Sequence, residues 1–91
     1  MIEEQYKSLH EKLSTDFTWP QEYMFKFIIA SEKTEALEAV LTHFTPEAKI
    51  DYKQSSSGKY ISVTINETHQ NADNVVIKLQ NVAKIEGVMA L

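Results

Sequence analysis

The fold class that this 91-residue sequence predicts is an α+β sandwich: a four-stranded antiparallel sheet with two helices on one face and one further helix at the N-terminus. Three observations predict it. Residues 23–29, 48–54 and 60–66 read with a period of two, as half-buried strands do. Around them lie stretches whose apolar residues recur every three or four positions, as in amphipathic helices. After the leading helix the two patterns follow the order β-α-β-β-α-β. Each strand–helix–strand unit closes with a right-handed crossover, and two such units around a hairpin give the ferredoxin-like split sandwich.

Ile2, Tyr6, Leu9 and Leu13 form one apolar stripe on the first helix, with Glu3, Glu4, Lys7, Glu11 and Lys12 around it. Ser14, Thr15 and Asp16 are expected to end that helix, and Pro20 blocks any continuation. The division is therefore a helix over 1–14 and a sandwich over 15–91. In YMFKFII, Tyr23, Phe25, Phe27 and Ile29 point one way and Met24, Lys26 and Ile28 the other. Ser31 is the expected N-cap of the next helix, whose stripe is Ala36, Leu37, Val40, Leu41 and Phe44. Ala48, Ile50 and Tyr52 are expected inward on the second strand, and Ile61, Val63 and Ile65 on the third. Thr68 is the expected cap of the last helix, with Val75, Val76, Leu79 and Val82 on its stripe. Gly87 stops it, and Val88 to Leu91 makes a short final strand.

Composition narrows the chemistry. The apolar fraction of 43% and charged fraction of 24% are those of an ordinary globular domain. With no cysteine, disulfides, thiolate catalysis and cysteine-ligated metals are excluded. The net charge is −4 and all nine basic residues are lysine, which disfavours nucleic acid: phosphate neutralisation and arginine forks carry most such binding. No run approaches the about 18–20 apolar residues of a membrane span. The opening MIEEQYKSLHEKL lacks the basic and apolar regions of a signal peptide, so a cytoplasmic protein with no membrane partner is expected.

The stretch SSSGKYISVTI, residues 55–65, has one glycine ahead of a strand, whereas a phosphate-binding loop needs two at fixed spacing ahead of a helix. It reads as a hairpin in which Gly58 takes a positive φ and the serines satisfy local backbone groups. RNA-recognition domains share the element order but carry several outward aromatics on the third strand; here Tyr60 alone is outward there. His10, His43 and His69 show no metal-ligand spacing. Glu67-Thr68-His69 invites a catalytic reading, but no nucleophile or oxyanion hole completes it, and Thr68 as a cap explains the same residues. No metal, cofactor or enzymatic activity is expected.

Ser55, Ser56, Gly58, Tyr60, Ser62, Val63, Thr64 and Ile65 match a string that resembles the signature of the YbeD-like family, small bacterial proteins of uncharacterised role with an ACT-like ferredoxin fold. FTWPQEYMFKFI resembles the stretch leading into that family's first strand, so the likeness runs from about Asp16 to Leu91. The helix before it looks like an addition. The resemblance implies the ACT-like sandwich and a homodimer, and it implies no catalytic residue. Ligand-binding ACT domains carry glycine in the turn after strand one, where this chain has Ala30-Ser31-Glu32.

The functional expectation is a non-catalytic regulatory or protein-interaction module, as a homodimer or with an unidentified protein partner. Its surface would be the open sheet face, with Met24, Lys26, Ile28, Tyr60, Ser62 and Thr64, together with the hairpin at Ser55, Ser56, Gly58 and Lys59. The alternative is a sensor of amino acids or small carboxylates at Ala30 to Glu32 or at the hairpin; an RNA-binding sheet face ranks below it. The N-terminal stripe is expected to pack across the open sheet face, in its own subunit or a partner's.

Overall fold

A computed structural model describes residues 2–91. A 3-10 turn at Glu4–Tyr6 leads into α1 (Lys7–Asp16), followed by β1 (Gln21–Ala30), α2 (Thr34–Leu41), β2 (Lys49–Gln54), β3 (Tyr60–His69), α3 (Ala72–Ala83) and β4 (Val88–Ala90). The strands form one antiparallel sheet in the order β2-β3-β1-β4. This is the ferredoxin-like α+β arrangement that the element order predicts.

Register follows from the period of two. Phe25 pairs with Ile65 and Phe27 with Val63 across the central β1–β3 ladder, and all four are sealed from solvent. Ala36 and Val40 of α2, and Val75, Val76, Leu79 and Val82 of α3, close over them. Side chains of this kind supply roughly 1.5–3 kcal/mol each on burial, which is what holds both helices on one face. Ile50, Ile61, Leu37 and Leu41 sit at the margin of this core, half-buried. Gly58 and Gly87 take φ of +75° and +88°, the left-handed backbone expected of them at the hairpin and after α3.

Five local expectations are corrected. Of Ser14, Thr15 and Asp16, only Asp16 ends α1: the Ser14 and Thr15 hydroxyls bond back to the His10 and Glu11 carbonyls within the helix, and Phe17 turns extended. Ser31 does not cap α2, which starts at Thr34 behind Lys33; the Ser31 amide donates instead to the Lys59 carbonyl at 2.8 Å. Tyr52 is on the helix side of the sheet, opposite Val63, but stays 54% exposed because β2 is an edge strand, where Leu37 and Ile61 form only an open groove beside it. Thr68 is an exposed strand residue paired with Glu22, and Asn71 caps α3, its Oδ1 accepting from the Asn74 amide at 2.9 Å.

The fifth correction concerns α1. It lies antiparallel along α3, not across the open sheet face. The Glu3 amide donates to Gln80 Oε1 at 3.0 Å, Lys84 pairs with Glu3, and His10 pairs with Asp73. Asp73, Gln80 and Lys84 fall on one side of α3, so that helix has a second face to cover. Leu13 is buried in the common core, with Ile2, Tyr6 and Leu9 packed against it, and the Trp19 indole N–H donates to the Leu13 carbonyl at 3.1 Å. The stripe does bury itself, and the far face of the sheet is left bare.

Candidate functional site

The bare face is set by alternation. Residues of β1 and β3 between those of the core point away from the helices, and pairing aligns Met24 with Asn66, Lys26 with Thr64, and Ile28 with Ser62. Lys49, Asp51 and Lys53 extend these rows on β2, and Met89 joins Ile28 from β4. The Leu91 amide donates to the Lys26 carbonyl, which brings the C-terminal side chain to the same border. Met24 and Met89 are 59% and 63% exposed, and Tyr60 and Leu91 are also exposed. The face thus carries an interrupted apolar stripe among lysines and hydroxyls.

The hairpin divides the remaining predicted residues between two concavities. Ile28, Ser55, Ser56, Tyr60 and Ser62 come together with Lys53 in one of about 350 Å³ on the open-face side. Gly58, Lys59 and Tyr60 line another of about 430 Å³, whose opposite wall is Ala30, Ser31 and Glu32. Met24, Lys26 and Thr64 lie farther along the face, in neither. The hairpin's hydroxyls serve the turn itself: Ser55 Oγ accepts from the Tyr60 amide at 3.1 Å and lies 3.3 Å from Ser57 Oγ. Phe25 and Phe27 are buried, so Tyr60 is the one described aromatic on the open face, too few rings for a base-stacking platform.

A second constellation lies on the helix side. The alternation of β3 runs on past Asn66, so Glu67 and His69 follow Ile61, Val63 and Ile65 inward and are both buried. The Glu67 carboxylate collects four donors: His69 Nε2 at 2.7 Å and Lys78 Nζ at 2.8 Å on Oε1, and the Thr45 amide at 2.7 Å and hydroxyl at 3.0 Å on Oε2. Burial works to raise its pKa. The bonds from Lys78 and Thr45, with the Lys78 charge, win and bring it from 4.5 down to about 2. For His69 burial dominates and lowers the pKa below 6.5, against the opposing pull of Glu67. At neutral pH the cluster is a carboxylate, an ammonium and a neutral imidazole, with Lys78 also 4.7 Å from the Phe44 ring centroid. Reading Thr68 as a cap hid this pair; following the period of two as far as residue 69 exposes it.

Among the described residues no group of three or more His, Cys, Asp or Glu side chains is gathered to hold a metal. No helix among them is long and apolar enough to cross a membrane.

Comparison with known proteins agrees with this architecture. A solution structure of the Helicobacter pylori protein HP0495 matches with a TM-score of 0.67 at 18% identity, covering 82% of this chain and 85% of that one. No curated protein gives a match. Residues 14–91 match the family described as "Protein of unknown function (DUF493)", so that α1 as far as Leu13 lies outside the matched segment. The chain belongs to that family, the YbeD-like proteins, as its hairpin string and element order indicate.

Proposed function

We propose that this protein is a non-catalytic interaction module that docks a protein partner on the open face of its sheet. The observation that carries the reading is the bareness of that face: its Met24 and Met89 stay exposed because α1 covers α3 instead. Methionines fill irregular surfaces and are common where a protein must accept a varied partner. The polar part of the face holds Lys26, Lys49 and Lys53 against Glu22 and Asp51, in a chain whose net charge is −4. Glu22 is already paired with Lys49 at 3.8 Å. Lys26 lies on a central strand between Met24 and Ile28, so the face suits a partner with apolar side chains and an acidic rim.

A photo-activatable crosslinker placed at Met89 in the source organism tests this, with exposed Glu38 of α2 as the control position. A discrete adduct at Met89, absent at Glu38 and lost with Met24→Lys, is the expected result. An adduct of twice the chain mass would assign the face to a homodimer instead. No adduct, or the same adducts at both positions, would reject the reading.

A second reading, a small-ligand sensor, is favoured by one observation. The turn at Ala30 to Glu32 and the hairpin at Gly58 to Tyr60, far apart in sequence, wall one concavity, joined by the Ser31–Lys59 backbone bond. A bound ligand stabilises by RT ln(1 + [L]/Kd), so a thermal-shift series of amino acids and small carboxylates that moves nothing counts against it.

A further inference from the structure

The Glu67–His69–Lys78 cluster lies beneath a shallow concavity of about 310 Å³, on the layer opposite the sheet face. It is walled by Asn74, Ile77, Lys78 and Asn81 of α3, by His43 and by His69 itself. No carboxylate lines it. Glu67 lies behind the wall with both oxygens engaged.

The His69 side chain is 8% exposed, and its one hydrogen bond among the described residues, through Nε2 to Glu67, leaves Nδ1 without a protein partner. That nitrogen is not sealed in: Ser31 Oγ is the only buried side-chain polar atom without a partner among the described residues. An ammonium has three N–H donors, and Lys78 gives one to Glu67, which leaves donor capacity at the cavity. The amides of Asn74 and Asn81, both exposed, stand on the same wall.

We propose that this concavity binds a small oxyanion, a carboxylate or a phosphate, with Lys78, Asn74 and Asn81 donating to it and His69 taking up a proton on Nδ1 to complete the shell. The charges require that proton. In the empty site the Glu67 carboxylate and the Lys78 ammonium cancel and the imidazole is neutral, so an arriving anion meets no net positive charge. A proton on His69 supplies one, held between Glu67 at Nε2 and the anion at Nδ1. The titratable groups facing His69 are Glu67 on its own strand, Lys78 from α3, His43 across the concavity and Tyr23, which pairs with Glu67 from β1. Tyr23 is neutral, its pKa raised by burial. Linkage is reciprocal: the anion raises the His69 midpoint, and anion affinity rises about tenfold for each pH unit lost, until that midpoint is reached.

The test uses the full-length chain with its histidine rings labelled with nitrogen-15. It is titrated with sodium acetate and, separately, inorganic phosphate at constant ionic strength, with chloride as the reference. The His69 ring nitrogens should move saturably toward the imidazolium position while those of His10 do not, with affinity strengthening as pH falls. Asn74→Ala with Asn81→Ala should weaken binding about tenfold or more and leave Tm unchanged, since both side chains are on the rim. A response to acetate alone marks a carboxylate site, to phosphate alone a phosphate site, and to both a general oxyanion site. If neither anion moves His69, if affinity is flat with pH, or if His43→Asn abolishes the coupling, the proposal fails.

Discussion

Replacing Glu67 with glutamine removes one charge from a buried side chain that accepts four hydrogen bonds. The carboxylate accepts from His69, from Lys78 and twice from Thr45. An amide has one oxygen, so whichever way it turns its NH₂ meets donors, either the Thr45 amide or His69 with Lys78. Lys78 loses its counter-charge as well. Breaking a buried ion pair from one side costs roughly 3–5 kcal/mol, and the 20% exposure of the Lys78 side chain lets water take part of its charge, which points to about 3 kcal/mol.

The proton equilibrium of Glu67 carries a free energy of the same size. The Glu67 carboxyl falls from 4.5 to about 2 on folding, and at about 1.4 kcal/mol per unit that is about 3 kcal/mol. The sign follows from proton counting. The unfolded chain takes up this proton near 4.5 and the folded chain only near 2, so the stabilisation is whole above 4.5 and is lost as pH falls toward 2. Urea unfolding of both proteins at about pH 7 and pH 3 is the assay. The gap should be about 3 kcal/mol at the higher pH and about 1 kcal/mol at the lower, with His69→Asn in both backgrounds removing the imidazole's own titration. A gap under about 1 kcal/mol at pH 7, or one that does not narrow, would refute the account of this cluster.

His69 should titrate below 6.5 by NMR; because burial favours its neutral form, its contribution to stability is whole above 6.5 and shrinks as pH falls to its folded midpoint. Ile65→Ala, at a fully buried central-strand position, should cost about 2–5 kcal/mol in urea unfolding, whereas Tyr52→Ala at the exposed edge should cost under about 1 kcal/mol. Gly58→Ala should cost about 1–2 kcal/mol from backbone strain alone, because an added Cβ meets nothing closer than Gln54 Nε2 at 3.7 Å. Removing residues 1–16 uncovers Leu13's place in the core and one side of α3, so Tm should fall by about 10 °C or more. The resonances of Met24 and Ile28 should stay where they are; movement there would place α1 on the sheet face after all.

Much of this was legible in the chain. Phe25, Phe27, Val63 and Ile65 stand at every second position, and a period of two assigns them to one face whatever lies above it. The positive φ at Gly58 and Gly87 is a local property of residues without a Cβ. The concavity uniting Ile28, Ser55, Ser56, Tyr60 and Ser62 follows from a hairpin that returns beside β1. Two of the errors share one origin: residue type alone marks Ser31 and Thr68 as caps. A cap depends on where the helix starts, and the backbone bond from Ser31 to Lys59 and the continued β1–β3 ladder moved both starts onward.

The sequence by itself determined the element order, the handed topology that follows from it and the core face of each central strand, because periodicity and turn chemistry act over a few neighbouring residues. Only the tertiary structure decided that α1 covers α3, that the open face stays bare, and that Glu67 and His69 meet Thr45 and Lys78 on the helix side of the sheet. Those outcomes depend on what meets a side chain from elsewhere in the chain: Thr45 comes from 22 residues away and Lys78 from 11. A buried carboxylate is tolerable only once such remote donors have arrived, and no local pattern along β3 announces them.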